Sequence, residues 1–175
     1  MYQECQSLAV HWCTQLAKAS TSVYDLGCST GTLLLKLAQA VDKNKGIALF
    51  GVDNSQAMLE KSRETLRESP VPCEFIEADL NQGFPIQNAS VVVMNYTLQF
   101  VLPENRGPLL KNIYEGLLPD GSLVLIEKIK SGIPELDRTF IEFHHQFKRD
   151  RGYSDLEISK KREALENVLI PWTVE

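Results

Sequence analysis

Four short stretches carry the side chains best able to do chemistry. The run Tyr24-Asp25-Leu26-Gly27-Cys28-Ser29-Thr30-Gly31 closes an apolar segment and opens a helix-period one, the setting in which a glycine loop holds a ligand. Gly27 lets the backbone turn tightly and approach a ligand closely, and a helix beginning beyond Gly31 offers free N–H groups to a carboxylate or phosphate. Asp53, in Gly51-Val52-Asp53-Asn54, follows at about the 20-residue spacing that serves a ribose diol. Asp79, in Glu77-Ala78-Asp79-Leu80, ends a third apolar run, where an acid can accept from an exocyclic adenine amine; Asn95 ends a fourth, in Val93-Met94-Asn95-Tyr96. Singly, the loop is an ordinary β–α turn and Asp53 a turn residue ahead of Ser55. Four polar groups at four successive strand ends argue for a ligand.

The elements that must position them alternate along the chain. Short β-branched apolar runs at Val23 to Leu26, Ile47 to Val52, Glu74 to Ile76, Ser90 to Met94 and Leu123 to Ile126 read as five strands. Between them lie helix-period stretches through Leu33, Leu34, Leu37 and Val41, through Met58, Leu59, Ser62 and Leu66 behind a Ser55 cap, and through Leu109, Leu110, Ile113 and Leu117. Strands apolar on both faces and joined by helical crossovers predict a doubly wound, mostly parallel α/β sheet, with ligands at the carboxyl ends of its strands. After the fifth strand the pattern changes to a helical pair. Pro134 opens one helix, with Leu136, Phe140, Phe143, His144 and Phe147 on one face and Gly152 closing it; a capping box at Ser154 and Glu157 opens another that runs through Leu165, Val168 and Leu169 until Pro171. The expected organisation is one domain over residues 1–175, a core of about 23–128 and a helical appendage of about 134–170.

Composition sets outer bounds. The 175 residues are 43% hydrophobic and 23% charged, values of an ordinary folded domain. With 18 Lys+Arg against 23 Asp+Glu and a formal charge of −5, the chain lacks the basic footprint of direct nucleic-acid binding. No run is long and apolar enough for a membrane span, and Glu4 interrupts any signal-like start, so a cytoplasmic protein is expected. Cys5, Cys13, Cys28 and Cys73 form no C-x-x-C pair and read as reduced thiols; His11, His144 and His145 have no ligand-spaced companions, so no metal is expected.

The sequence D-L-G-C-S-T-G in place of G-x-G-x-x-G resembles the S-adenosylmethionine-dependent methyltransferase superfamily, with its Rossmann-like fold, from Val23 to about Lys128. Ser29 stands where most of that superfamily has glycine, which points to one branch. Tyr24-Asp-Leu-Gly-Cys-Ser, Val52-Asp-Asn-Ser, Asn95-Tyr-Thr-Leu-Gln-Phe, His144-His-Gln-Phe-Lys-Arg and Gly152-Tyr-Ser-Asp-Leu-Glu-Ile-Ser-Lys-Lys-Arg162 are similar to the carboxy-S-adenosyl-L-methionine synthase family. The resemblance implies a transferase that turns S-adenosylmethionine and prephenate into carboxy-S-adenosylmethionine and phenylpyruvate, for later carboxymethylation of wobble uridine in tRNA, and it implies a homodimer. Carried over by position, the family's ligand contacts fall on Tyr2, Gly27, Cys28, Ser29, Asp53, Asn54, Asp79, Leu80, Asn95 and Arg162. Arg162 is the residue expected to act in the chemistry, its planar guanidinium gripping the product's extra carboxylate. The S-methyl beside a sulfonium is acidic, which suggests an ylide that captures carbon dioxide lost from prephenate; no side chain identifies itself as the base. The resemblance also implies a terminal hairpin beyond the given residues: either those segments are lost from this sequence, or the chain is a truncated paralogue, in which case the fifth strand would be left with an open edge. Two rival readings share the residues from Gly27 to Asn95: a conventional small-molecule methyltransferase, and a catalytically silent S-adenosylmethionine-binding subunit.

Overall fold

In a computed structural model, residues 2–166 and 168–173 are described. The chain divides into two compact units, residues 1–127 and 128–175.

The first unit is a five-stranded parallel sheet with helices on both faces. In chain order it contains α1 (Tyr2–Leu16), β1 (Ser22–Leu26), α2 (Thr32–Ala40), β2 (Ala48–Asp53), α3 (Gln56–Thr65), β3 (Cys73–Glu77), β4 (Ala89–Asn95), α4 (Pro103–Gly116) and β5 (Leu117–Ile126). The strand order is β3-β2-β1-β4-β5, every pairing parallel. All five expected strands are present, as is the doubly wound class. The chain winds outward from β1 to β3, then returns to start again at β4, so the order reverses between β1 and β4. In such sheets that point opens the crevice where ligands sit.

The pleat sorts the core. On β4, Val91 and Val93 join a cluster with Leu34, Leu37 and Leu49 on one face, while Val92 and Met94 join Leu26, Leu109 and Ile113 on the other. Successive side chains point to opposite faces, and because helices cover both, β4 is buried from Ala89 to Met94 and needs no polar residue on an outer face.

Helix α1 was not expected from the sequence. Its inward positions are Gln6, Ala9 and Cys13, small or polar residues that make a weak periodic signal, whereas its large apolar residues Leu8 and Trp12 are 53% and 49% exposed. Strand β5 starts six residues earlier than expected. Its register to β4 slips between Ala89↔Leu117 and Val91↔Ser122, and the extra residues include Asp120 at φ +61, the bulge that lets a Pro-Asp-Gly turn sit within a paired strand.

The second unit holds β6 (Ile129–Lys130) paired in parallel with β7 (Trp172–Thr173), and the expected helical pair, α5 (Pro134–Arg149) and α6 (Asp155–Leu165). Pro134 stands in the first turn of α5, and the Ser154–Glu157 capping box is complete in both directions. Helix α6 stops at Leu165, short of the expected Leu169, because Glu166 leaves the helical region at ψ 129. Burial, and then the charge of Lys148, hold His144 and His145 below the usual imidazole range.

Candidate active site

The site grows out of the end of β1. After Leu26 the chain turns at Gly27, with φ +79, and again at Gly31, with φ +75. Gly31 is the residue before α2, so the first N–H groups of that helix open toward the loop. A side chain at Gly27 would collide with Thr97, whose Cγ2 and Oγ1 lie closer to where a Cβ would stand than real contacts allow. Close approach is therefore required at Gly27, and the neighbour that requires it is a side chain of the segment after β4. A Gly27→Val substitution would therefore disturb that packing as well as any ligand contact of the loop.

Ser29 explains its own departure from glycine. It lies at φ +51, a region costing a non-glycine residue about 1 kcal/mol or more. Three contacts hold it there. Its N–H donates to Asp53 Oδ2 at 2.9 Å, its carbonyl accepts from Ser62 Oγ at 2.6 Å, and its hydroxyl lies 3.8 Å from Met58 Sδ. Asp53 Oδ1 accepts the Ser55 N–H at 3.0 Å. One carboxylate thus ties the glycine loop to the start of α3. Ser55 occupies the cap position without a side-chain capping bond.

A cleft lies over this loop, lined by Gln6 of α1, Asp25, Gly27 to Thr30, Thr32 and Leu33 of α2, and Asn95 at the end of β4. Asp25 and Asn95 come from the two strands that flank the switch point. Asp25 is 2% exposed, and its Oδ2, like Asn95 Oδ1, is buried with no hydrogen-bond partner. Burial, reinforced by the nearby charge of Asp53, pushes the Asp25 carboxyl up to about 7. Two unpaired acceptors at the mouth of a glycine loop call for a donor-rich cation, which would supply the missing hydrogen bonds and favour the ionised carboxylate. Cys28, also in the lining, is pushed up to about 12, mainly by burial, so it packs as a thiol and is no nucleophile.

The expected site residues separate into groups. Gly27, Cys28, Ser29 and Asn95 line the cleft, and Asp53 is bonded to its rim through Ser29. Asn54, Asp79 and Leu80 follow the ends of β2 and β3 at the same edge of the sheet, outside the lining. Asp79 Oδ1 accepts from Asn81 N and Nδ2, capping a short turn, while Leu80 is buried. Tyr2 opens α1, and its side chain lies outside the described residues. Arg162 belongs to the second unit, exposed in the last turn of α6. Sequence reasoning missed Asp25 and Gln6. An acid inside an apolar strand, two residues before Gly27, was the available signal for Asp25; Gln6 had none, because its helix was not foreseen. Among the described residues no group of His, Cys, Asp or Glu could hold a metal ion, and no helix is long and apolar enough to cross a membrane.

The family described as "Methyltransferase domain" matches residues 23–121. Beyond that fold-level match, the chain is 45% identical over 173 residues to the carboxy-S-adenosyl-L-methionine synthase of Methylococcus capsulatus, covering 98% of this chain and 71% of that one. The chain belongs to the carboxy-S-adenosyl-L-methionine synthase family. It is also 50% identical over 161 residues to the synthase of Geobacter sp. strain M21, covering 90% of this chain and 65% of that one, so it spans about two thirds of the length of these relatives. The fold is shared more widely: the YcgJ protein of Bacillus subtilis superposes with a TM-score of 0.68 at 15% identity, over 98% of this chain and 63% of that one. Members of the synthase family are transferases built on the methyltransferase fold, and the cleft described above sits where that fold opens.

Proposed function

We propose that the cleft binds S-adenosylmethionine and that the chain makes carboxy-S-adenosylmethionine from it, with prephenate as the carboxyl donor and phenylpyruvate and water as the other products, the water formed from the ring hydroxyl of prephenate and the proton lost from the S-methyl group. The observation that carries the binding step is the pair of unpartnered buried acceptors, Asp25 Oδ2 and Asn95 Oδ1, at the switch point. An α-ammonium group supplies both the charge and the donors they lack. The loop N–H groups ahead of α2 suit the adjoining carboxylate. Each Asp53 oxygen already accepts one backbone N–H and keeps a further lone pair, which suits a ribose hydroxyl. Asp79 would accept from the adenine amine, with the backbone of Leu80 beside it.

Arg162 is the group proposed to receive the carboxylate that exists only on the product, as a bidentate cation would. Use of the product in wobble-uridine modification of tRNA, assembly as a homodimer and a cytoplasmic setting belong to the same proposal and rest on family membership. The test is incubation of the purified chain with S-adenosylmethionine, with and without prephenate, followed by mass spectrometry of the nucleoside and assay of phenylpyruvate. Prephenate-dependent gain of one carboxyl group, matched by phenylpyruvate, is expected. Conversion to S-adenosylhomocysteine instead, or binding without turnover, would replace this reading with the methyltransferase or the silent subunit.

A further inference from the structure

We propose that Glu127, the residue just after β5, is a positioning residue for the cleft and acts through Thr97 on the glycine loop. The inference rests on the reading of the cleft as an S-adenosylmethionine site. After Asn95 the chain makes a tight turn over residues 97–100. Its leading N–H groups have no partner within the turn. The Glu127 side chain supplies one from just beyond another strand: its carboxylate accepts from Leu98 N at 2.6 Å and from Gln99 N at 3.3 Å. At the other end, the buried guanidinium of Arg106 donates through Nε to Val101 O at 2.8 Å and through Nη2 to Gln99 O at 3.5 Å. A negative group thus meets the turn's N–H end and a positive group its carbonyl end, matching the turn's dipole at both.

What the clamp holds in place is Thr97. Its side chain fills the space beside Gly27 that a Cβ would need, so a shift of the turn by a few tenths of an ångström is transmitted to the loop backbone. The turn also fixes Tyr96 at φ +61, an uncommon conformation for a tyrosine. Bonds at both ends of the residue hold it: Gln99 Nε2 donates to Tyr96 O at 3.1 Å, Tyr96 N donates to Ile126 O at 2.7 Å, and the Tyr96 hydroxyl lies 3.2 Å from Cys5 Sγ on α1. Asn95, with its unpartnered Oδ1 in the cleft, is the next residue upstream. Burial raises the Glu127 carboxyl, while the backbone N–H groups and Arg106 work against that rise.

A purely structural cap and a positioning residue differ in how their loss combines with loss of Thr97. The measurement is the affinity of S-adenosylmethionine, by calorimetry, for wild type, Glu127→Gln, Thr97→Ala and the double variant, with thermal unfolding of each alongside. If Glu127 acts on the site through Thr97, each single change weakens binding roughly tenfold and the double variant is weakened about tenfold as well, not about a hundredfold. The shift in Tm on Glu127→Gln should meanwhile be similar in both backgrounds, because the cap on the turn is lost either way. Affinity losses that multiply, or unchanged affinity with a lowered Tm, overturn the proposal. Should Glu127→Gln fail to fold beside the buried Arg106, the same cycle with Glu127→Asp decides, since it keeps the charge and shortens the reach by one methylene. A wild-type chain that binds no S-adenosylmethionine overturns the underlying reading and the inference falls with it.

Discussion

Replacing Asp25 by asparagine should make the ligand-free chain more stable at pH 8 while weakening its hold on S-adenosylmethionine. The carboxyl is buried without a cation, and its value rises from an ordinary 3.8 to about 7. Below pH 3.8 the group is protonated in both folded and unfolded chains and contributes nothing. Between there and about 7 the unfolded chain ionises while the folded chain keeps its proton, so stability falls as pH rises. Above about 7 the full penalty is present, and the interval from 3.8 to about 7 is worth about 4 kcal/mol at 1.36 kcal/mol per pKa unit. Asparagine is neutral throughout but keeps a polar group in the same place, so the net gain expected at pH 8 is about 2 kcal/mol or more, vanishing near pH 4. Urea unfolding of both proteins from pH 4 to pH 8, without ligand, measures it. Calorimetry across the same range should give wild-type affinity that strengthens as pH passes about 7, and weaker, flatter binding for Asp25→Asn. Stability curves that run parallel across this range, or a variant less stable at pH 8, would refute the account of Asp25 as an acid awaiting a cation.

Asp53→Ala should weaken S-adenosylmethionine binding by about 1 to 3 kcal/mol, measured by calorimetry. Because the same carboxylate bonds Ser29 N and Ser55 N, amide exchange at those two residues should quicken together. Arg162→Ala should lower affinity for carboxy-S-adenosylmethionine about a hundredfold and for S-adenosylmethionine less than about twofold, with lysine restoring only part of the difference. Parallel titrations of the two ligands into the three proteins check this, and equal ratios of affinity in all three would remove Arg162 from the product site.

Much of the fold was legible because its central strands, β1 and β4, are buried on both faces. Val91 to Met94 need no alternation, and the glycine loop between β1 and α2 marks the switch point before any coordinate is known. Local chemistry was legible too, as the Ser154–Glu157 capping box shows. What escaped lies in contacts distant along the chain. Helix α1 hides its packing face in Gln6, Ala9 and Cys13, and the partner that explains Gly27 is Thr97 rather than anything in its own loop. Asp25 was hidden in plain view, within a motif whose glycines drew the attention. Glu127 acquires meaning only when β5 is laid beside β4, which no spacing rule along a single strand reveals.

The pairing of β1 with β4 also governs the order in which this protein can come into being. Tyr24 lies against Val92 and Asp25 against Val93, so the crevice cannot close until the ribosome has released the chain past Asn95. Until then β1 and β2 can pair, but β1 keeps one edge exposed and Asp25 has sheet on one side alone. Long-range parallel pairing of this kind is slow and leaves apolar edges open in the interval. A nascent chain stalled between β3 and β4 would therefore carry a sticky half-sheet with no ligand site, and substitutions at Val91, Val92 or Val93 should reduce the yield of folded protein before they alter any property of the finished enzyme.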